Sequence, residues 1–469
     1  MHDTKKIYSK IFLLAIIFGA LFWGWSKYHK NFELPDKIPF AFTEPRALSF
    51  PENICNIADF GAIPDGETKN TESFRKAIET CAEKGGGKVF VPEGQWLTGA
   101  IHLKSNINLN LHDKAEIIFS DNPDDYLPVV FTRFEGMELY NYSAFIYAKD
   151  AQNIAITGKG TLNGQDQFWQ SWKTGEKKSI EKLADMIKKD TPSEERIFGF
   201  QDSGLRPSFI EFVNCQNIWL ENFFITSSPR WTIHPIYCEN ILMDNLRVET
   251  LGFNSDGIVI DSSKNVLIEN CTLKTGDDTI AIKSGLEKDG WRVNRPSENI
   301  VIRNTKIEEG HSGIAIGSEM SGGVRNVFLY NLYLDGIDQG IRAKSTKSRG
   351  GYVENVWAKN ISINIATNSA FQIDSTYPAS AIKSNNKKAP IMRNFFVENL
   401  SVGNVKRAIV IEGLKNEPIS DISFFNIRAK SQKSNLLKDC KNINFKKSSF
   451  EGPDKDALFE TKNCEYTLD

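Results

Sequence analysis

The stretch NSDGIVIDSSKNVLIENCTL, residues 254–273, contains two short strands separated by a turn. Apolar residues alternate with other residues at Ile258 and Ile260 in the first strand, and at Val266 and Ile268 in the second. Alternation with a period of two predicts β-strands that bury one face. Each strand is too short to bury that face alone, so the fold depends on how the pattern recurs.

The pattern recurs through the second half of the chain, and this repeat decides the fold class. An Asn or Asp followed by an alternating strand occurs at Asn217, Asn240, Asn265, Asn299, Asn326, Asn355, Asn394 and Asp421. Neighbouring units begin 23 to 39 residues apart. Stacking such units buries their apolar faces in one continuous core. We therefore predict an all-β chain folded as a right-handed, single-stranded parallel β-helix.

A β-propeller is the alternative repeat architecture, and it requires units of about 40 residues built from antiparallel hairpins. The turn signals of such hairpins are missing from the sequence. The N-terminal part instead contains one helix, from Thr71 to Lys84, with Asn70 or Thr71 as its N-cap and Gly85–Gly87 after its end. We expect this helix to cap the open end of the β-helix, where apolar core and strand edges are otherwise exposed.

A long insertion, residues 165–206, includes a second helical stretch and exceeds an ordinary turn between strands. Loops of that size are often functional walls or lids. Trp169 and Trp172 are spaced to lie close together on one helical face. They are expected either to pack under the insertion or to wall one end of a binding cleft.

Composition excludes one class of partner. The chain has 469 residues, of which 40% are hydrophobic and 25% charged, as in ordinary globular proteins. Its net charge is −2, whereas nucleic-acid-binding proteins usually carry an excess of positive charge. We expect no nucleic-acid partner.

The N-terminus indicates export. Residues 11–25 form an apolar run after Lys5, Lys6 and Lys10, which is typical of an export signal and short for a membrane-spanning helix. Residues 1–30 are assigned to a signal peptide or an N-terminal membrane anchor, residues 31–50 to a Pro-spaced linker, and residues 51–469 to the β-helix. We expect a periplasmic protein, a secreted protein, or one anchored in a membrane and facing outward.

The cysteines and histidines give no sign of a metal site. The seven cysteines are an odd number, so at least one is unpaired within the chain. Cys215, Cys238 and Cys440 share one local frame, which favours a structural role in a repeated turn. No C-x-x-C motif occurs and the six histidines are scattered, so we predict no metal and no cofactor. We expect a monomer.

Alignment of the units on their final serines, Ser262, Ser284, Ser318 and Ser345, predicts which residues stack. One column contains Asp256 and Asp278, and the next contains Ser255, Asp277, His311 and Asp338. Arg342 falls in the column of Val259, Ala281 and Ala315, and Lys344 in the column of Asp261, Lys283 and Gly317. Adjacent coils are about 4.8 Å apart, so one exterior strip should hold the carboxylates of Asp256, Asp277 and Asp278, the imidazole of His311, and the cations Arg342 and Lys344.

This strip has the composition of an active site. Its carboxylates cannot all ionise at low cost, so one of them should keep its proton to higher pH. A protonated acid beside an ionised carboxylate is what hydrolysis of a glycosidic bond requires. Arg342 and Lys344 suit an anionic substrate. Any one of these residues is more often a turn former or a solvated charge, so the hypothesis depends on their shared register.

The motifs that hold these residues resemble those of glycoside hydrolase family 28, the polygalacturonases. NSDG at 254–257 resembles the family's N-[ST]-D motif, GDD at 276–278 its paired aspartates, GHS at 310–312 its G-H-G motif, and RAK at 342–344 its R-I-K motif. The likeness extends over roughly residues 50–450 and includes the segment ADFGAIPDG. Ser312 replaces the second glycine of G-H-G, and Ala343 replaces the isoleucine of R-I-K.

The resemblance implies inverting hydrolysis of α-1,4-linked galacturonate in polygalacturonate, the acidic polymer of pectin. Asp277 would be the general acid. Asp256 and Asp278 would hold and deprotonate the attacking water, and His311 would tune the acid. If the insertion walls one end of the cleft, the enzyme acts from a chain end.

The resemblance also implies four substrate-binding residues. Arg342 and Lys344 would bind the uronate carboxylate, Asn254 would orient the first aspartate, and Tyr377 would contact a sugar. His234 is expected to be structural. The alternatives are a rhamnogalacturonan or xylogalacturonan hydrolase on the same fold, a pectate lyase, and a non-catalytic carbohydrate-binding module.

Overall fold

The strands stack as successive coils of the predicted right-handed parallel β-helix. The computed structural model describes residues 37–200, 203–378, 387–452 and 458–469. Residues from Ile38 to Asp469 belong to one unit. Within the described ranges, 29 strands join one sheet that winds around the core, and two more form an antiparallel hairpin.

The coils present three faces, each a ladder of parallel strands. The first face begins with β1 Ile54–Asn56, β2 Gly87–Val91, β5 Ile107–Leu111, β10 Gln152–Gly158, β13 Gln216–Glu221, β16 Glu239–Asp244, β19 Lys264–Glu269 and β22 Ser297–Arg303. The second face begins with β3 Gly94–Thr98, β6 Ala115–Phe119, β11 Thr161–Asn163, β14 Phe224–Thr226, β17 Arg247–Thr250 and β20 Thr272–Thr275. The third face, called here the site face, contains β4 Ile101–His102, β9 Ile146–Lys149, β12 Ile210–Val213, β15 Ile233–Ile236, β18 Ile258–Asp261, β21 Ile280–Lys283 and β25 Ile337–Lys344.

In the later coils the strands continue around the corners, so that most of them contribute to more than one face. These strands are β23 Lys306–Gly317, β24 Val324–Leu334, β26 Tyr352–Asp374, β27 Ile391–Glu412, β28 Ile419–Ser431, β29 Asn435–Lys446, β30 Ser449–Glu451 and β31 Phe459–Leu468. Inward residues of equal register form the core. On the site face Ile258, Ile280, Ile314 and Ile341 stack coil upon coil and are buried.

The asparagines that begin the repeat units form a ladder at one corner. Each adopts a positive φ, which Asn tolerates better than most residues. The side-chain amide of Asn240 donates to Asn217 Oδ1 at 3.1 Å, and that of Asn265 donates to Asn240 Oδ1 at 2.6 Å. Asn394 and Asn355 continue the ladder in later coils at 3.1 Å. The repeated residue therefore turns the chain and joins neighbouring coils.

The N-terminal helix is present as predicted. Helix α1, Thr71–Glu83, buries Phe74 and Ile78 against the first coils. Asn70 occupies the N-cap position, but its side chain makes no capping bond. Its amide instead donates to the carbonyl of Ile63 and accepts from the Ile63 N–H, which fixes the preceding loop.

The insertion after β11 is helical, as predicted. It contains α2 Asp166–Gln170, α3 Lys173–Lys188 and the 3₁₀ turn Ser193–Glu195. Trp169 is fully buried, with its ring centroid 5.4 Å from that of Tyr126, and Trp172 packs on Tyr142. Of the two expectations for these tryptophans, packing under the insertion is therefore the one observed. A further helix, α4 Glu287–Val293, follows β21.

A hairpin outside the coils was not expected from the sequence. Strands β7 Val130–Phe134 and β8 Met137–Asn141 pair antiparallel around the two-residue turn Glu135–Gly136. Both turn residues have positive φ, 49° and 74°, which is the geometry of a tight type I′ hairpin. Asn-Gly and Asp-Gly are the usual signals for that turn, and Glu-Gly is a weaker one.

Residues 37–50 are the described part of the predicted linker. They lie along the outer surface of the first face. Phe40 packs on Trp357 with ring centroids 5.7 Å apart, and Glu44 forms an ion pair with Arg303 at 2.7 Å. Phe42 joins the same apolar cluster. Residues 11–25, the predicted export signal or anchor, lie outside the described residues.

One disulfide, Cys440–Cys464, joins direct register partners on β29 and β31. Five other cysteines, including Cys215 and Cys238, are buried free thiols. In the part of the chain that the structure describes, no helix combines the length and apolar character needed to cross a membrane.

Candidate active site

The site lies where the strands of the site face begin, and its columns have the predicted register. Val259, Ala281, Ala315 and Arg342 are successive partners, as are Asp261 with Lys283 and Gly317 with Lys344. The backbone N–H of Gly257 donates to Asp278 O at 3.1 Å, and that of His311 to Asp277 O at 3.0 Å. The aspartates and His311 therefore lie on adjacent coils.

The site is less exposed than the predicted exterior strip. The side chains of Asp256 and Asp278 are each only 3% exposed, whereas Asp277 is 22% and His311 58% exposed. Lys344, which contacts Asp278, is 66 positions away in the sequence, a separation that no local pattern bridges. Asp277 is therefore the most accessible of the three aspartates.

Asp256 is buried beside other carboxylates. Its burial and the charge of Asp277 raise its pKa well above the ordinary range, although Lys283 opposes the rise. Lys283 Nζ lies 3.8 Å from Asp256 Oδ2. The other oxygen, Oδ1, is buried and has no hydrogen-bond partner among the described residues. An orphaned carboxylate oxygen in a polar site is suited to hold a water molecule.

Asp278 is equally buried but has its own cation. Burial alone would raise the pKa of Asp278, but Lys344 and then Lys283 outweigh it and lower that pKa below the ordinary value. Lys344 Nζ donates to Asp278 Oδ2 at 2.6 Å. The hydroxyl of Ser312 also favours the ionised form. Neither this hydroxyl nor Asp278 Oδ1 makes a bond of normal hydrogen-bond geometry to a described residue.

Asp277 and His311 form the accessible part of the site. His311 Nδ1 lies 3.4 Å from Asp277 Oδ1, and the same oxygen accepts the backbone N–H of Asp278 at 2.8 Å. The hydrogen bond to Asp277 raises the pKa of His311, against its partial burial. The raised pKa favours a cationic imidazole beside Asp277.

The two predicted cations have different partners. Arg342 Nη2 donates to Asp374 Oδ2 at 3.1 Å, and Gln372 donates to the same oxygen at 2.9 Å. Arg342 Nε is buried without a partner among the described residues. The ring of Tyr377 lies 5.0 Å from the Arg342 guanidinium and 5.3 Å from Lys344 Nζ. Sequence reasoning missed Asp374 and Gln372, although their register beside Lys344 and Arg342 follows from the repeat.

The hairpin tip borders one side of the site. Glu135 accepts from Arg230 Nη2 at 2.6 Å and from Asn254 Nδ2 at 3.2 Å. Asn254 was expected to orient Asp256, but its side-chain amide is directed to the hairpin. Glu135 and Arg230 were missed because no local pattern connects residues 95 positions apart.

A deeper layer supports the site. Trp231 is buried beside Val259, with Lys283 Nζ 4.6 Å from its ring. His234 lies between Glu211 and Asp261, 3.2 Å and 3.6 Å away, and is fully buried. This surrounding is consistent with the structural role expected for His234.

The insertion reaches the same region through its polar residues. Gln170 accepts the backbone N–H of Phe253 at 3.0 Å, and Arg206 donates to the Phe253 carbonyl at 3.0 Å. Both contacts fix the turn that leads to Asn254. Among the residues that the structure describes, no group of three or more His, Cys, Asp or Glu side chains has the arrangement of a metal site.

The chain resembles known proteins over most of its length. It is 30% identical over 397 residues to a probable polygalacturonase of Vitis vinifera, covering 82% of this chain and 76% of that protein. It is 25% identical over 431 residues to an exo-poly-alpha-D-galacturonosidase of Dickeya chrysanthemi, covering 85% and 71%. The crystal structure of a hyperthermoactive exopolygalacturonase from Thermotoga maritima superposes with a TM-score of 0.79 at 38% identity, covering 91% and 94%. The model of the family "Glycosyl hydrolases family 28" matches residues 81–449, and the chain belongs to this family of O-glycosyl hydrolases.

Proposed function

We propose that this protein hydrolyses α-1,4-linked galacturonate with inversion and releases product from a chain end. The observation that carries the proposal is the group of three aspartates on adjacent coils, in which only Asp277 is substantially accessible. The relatives named as polygalacturonases and exopolygalacturonases support the substrate class.

The general acid is chosen here by its accessibility to the substrate. A raised pKa alone would favour Asp256 as the acid, because its pKa is well above the ordinary range. However, the acid must reach the glycosidic oxygen, and Asp256 is 3% exposed. Asp277 therefore protonates the leaving oxygen, and Asp256 with Asp278 hold and deprotonate the water on the other side of the bond. His311 tunes Asp277.

A uronate carboxylate next to the scissile bond pairs with Arg342. This guanidinium is held by Asp374 at 3.1 Å, and the Arg342 side chain remains 14% exposed. Charged donors to a carboxylate form stronger hydrogen bonds than neutral ones. Tyr377 lies beside the guanidinium and offers a ring to the sugar.

In this proposal, cleavage from a chain end results from a wall at one side of the site. Glu135 binds both Arg230 and Asn254, and the carbonyl of Gly136 accepts from the Leu286 N–H at 3.0 Å. A polymer cannot continue through this wall, so its terminus must be seated against it. The wall is the hairpin tip together with the turn that Gln170 and Arg206 hold, and the tryptophans of the insertion are not part of it.

We expect monomer or dimer as the first products from polygalacturonate, with slow loss of viscosity. The test is product sizing over time on polygalacturonate and on defined oligogalacturonates. Asp277→Asn serves as the inactive control, since removal of a general acid typically costs about 10²- to 10⁴-fold in rate. An early ladder of intermediate oligomers would overturn exo action, and unsaturated products would indicate a lyase.

We also propose that the protein is exported by residues 1–30 and acts as a monomer. The apolar run at residues 11–25 supports export. A polymeric substrate outside the cell supports it as well.

A further inference from the structure

Lys283 is a buried ammonium that the catalytic scheme above does not use. It ends β21, where it is 6% exposed. Its Nζ donates to Glu319 Oε2 at 2.8 Å and lies 3.8 Å from Asp256 Oδ2. An ammonium has three donors, so binding Glu319 leaves donors for a second carboxylate. Arg349 contacts the other oxygen of Glu319 at 3.2 Å.

The position of Lys283 matches that of Lys344 in one respect. Both lysines point from the same column of the site face, and each has one of the two buried aspartates as a partner. Lys344 lies 2.6 Å from Asp278, and Lys283 lies 3.8 Å from Asp256. Among the described residues, Lys283 provides the one cation within 4 Å of Asp256.

Holding Asp256 ionised needs such a partner. A buried carboxylate without a nearby cation takes up a proton, and a neighbouring carboxylate strengthens that tendency. The charged groups that act on Asp256 come from several coils: Asp277, Lys283, Asp278 and Lys344. Those that act on Lys283 are Glu319, Asp256, Glu135 and Asp278, and they keep it protonated.

We propose that Lys283 is a positioning residue that favours the ionised form of Asp256 and aims it at the attacking water, with Glu319 fixing the ammonium in place. The inference rests on the proposed function, in which Asp256 acts as a carboxylate. It assigns the two buried aspartates one lysine each, so that both can bind water at the same time.

Lys283→Met tests this role through the pH profile of kcat/KM. Loss of the ammonium raises the pKa of Asp256 further, so the ionised form appears only at higher pH. An opposite charge at this range lowers a carboxylate pKa by about 1 to 3 pH units. We therefore expect the acid limb to move upward by about 1 pH unit or more, with activity partly recovered toward neutral pH.

Two further variants sharpen the test. Lys438→Met removes a lysine of the same outward column that pairs with Glu412 at 3.6 Å, several coils from the site, and should leave the profile unchanged. Glu319→Gln removes the competing carboxylate, so the acid limb should stay in place or move downward. If the Lys283–Glu319 pair were only structural, Lys283→Met and Glu319→Gln would change the pH profile in the same way.

Folding can be separated from chemistry. If Lys283→Met does not fold, Lys283→Met with Glu319→Gln removes both charges of the pair and is expected to give the same upward shift. An unchanged acid limb in a folded variant would overturn the inference while leaving hydrolysis by the parent enzyme intact. Absence of hydrolysis by the parent enzyme would instead overturn the proposed function, and this inference with it.

Discussion

Lys344 and Arg342 stand two residues apart on β25, but their side chains differ in burial and in partner. Lys344 is 9% exposed and bound to Asp278, whereas Arg342 is bound to Asp374 nearer the surface. The sequence predicted one role for both, the binding of a uronate carboxylate. We propose a division in which Lys344 sustains the charge of Asp278 and Arg342 binds substrate.

This division predicts different kinetics for the two substitutions. Lys344→Met should lower kcat about 10²-fold or more, as expected when a catalytic carboxylate loses its ionised state. Arg342→Ala should chiefly raise KM, because a charged hydrogen bond contributes about 1.5–3 kcal/mol, or roughly 10- to 100-fold in affinity. Steady-state kinetics on trigalacturonate measures both constants. Arg325→Ala, which breaks an ion pair with Glu298 on the first face, is the matched control.

A rise in KM alone for Lys344→Met would return that lysine to substrate binding.

At the scale of residues, the columns were predictable because strand alternation and the final serines set the register. The burial of Asp256 and the contact of Asn254 with Glu135 were not. The contact of Asn254 with Glu135 depends on a hairpin 119 residues away in the sequence.

The hairpin β7–β8 places its tip beside the site, where Glu135 contacts Arg230 and Asn254. Its tip fits closely: a Cβ added to Gly136 would lie 2.8 Å from the Leu286 backbone nitrogen and 3.1 Å from Glu319 Cβ. Contacts at 2.8 Å force a shift of one partner. The tip therefore has little freedom to move without disturbing the site.

Gly136→Ala should push the tip away from the site. We expect kcat/KM to fall by about 10²-fold, the scale associated with misplacement of about 1 Å, and the share of longer oligomers among early products to rise. Gly61→Ala is the matched control, because Gly61 also has a positive φ, 84°, but no atom within 4 Å of the added Cβ. Chromatography of early products compares Gly136→Ala with Gly61→Ala. Unchanged products from Gly136→Ala would remove the hairpin from the explanation of exo action.

Elements with a strong periodicity of apolar residues were predictable, and short or irregular elements were not. The helices α1 and α3 follow from their apolar spacing and flanking residues. The hairpin was missed because its Glu-Gly turn is a weak signal and its strands are five residues each. The segment around Phe40 was assigned to a linker because extended, Pro-spaced residues show no period, although it packs on Trp357.

At the scale of the whole molecule, the coils depend on their neighbours for stability. In such arrays stability is approximately a sum of terms within coils and between adjacent coils. The disulfide Cys440–Cys464 adds a covalent link between β29 and β31 across 24 residues of sequence. It therefore stabilises the coils next to the C-terminal end most directly.

Cys464→Ser should lower the free energy of unfolding by about 3 kcal/mol, the value expected for closing a loop of this length. Unfolding in guanidinium, followed by circular dichroism, measures the change. A reducing agent should destabilise the parent protein and leave Cys464→Ser unaffected, because the other five cysteines are free thiols. Equal stability of the two proteins would show that the last coils unfold independently of the rest.

The asparagine ladder has a consequence for how such a protein can diversify. Successive rungs are separated by 23 residues between Asn217 and Asn240 but by 39 between Asn355 and Asn394, yet the amide bond is 3.1 Å in both cases. Segment length between rungs can thus vary without displacing the next coil. Peripheral segments can therefore be exchanged, by selection or by engineering, while the aspartates remain at a constant pitch. Under the proposed function, the choice of cleavage position and the catalytic chemistry are then separable parts of one chain.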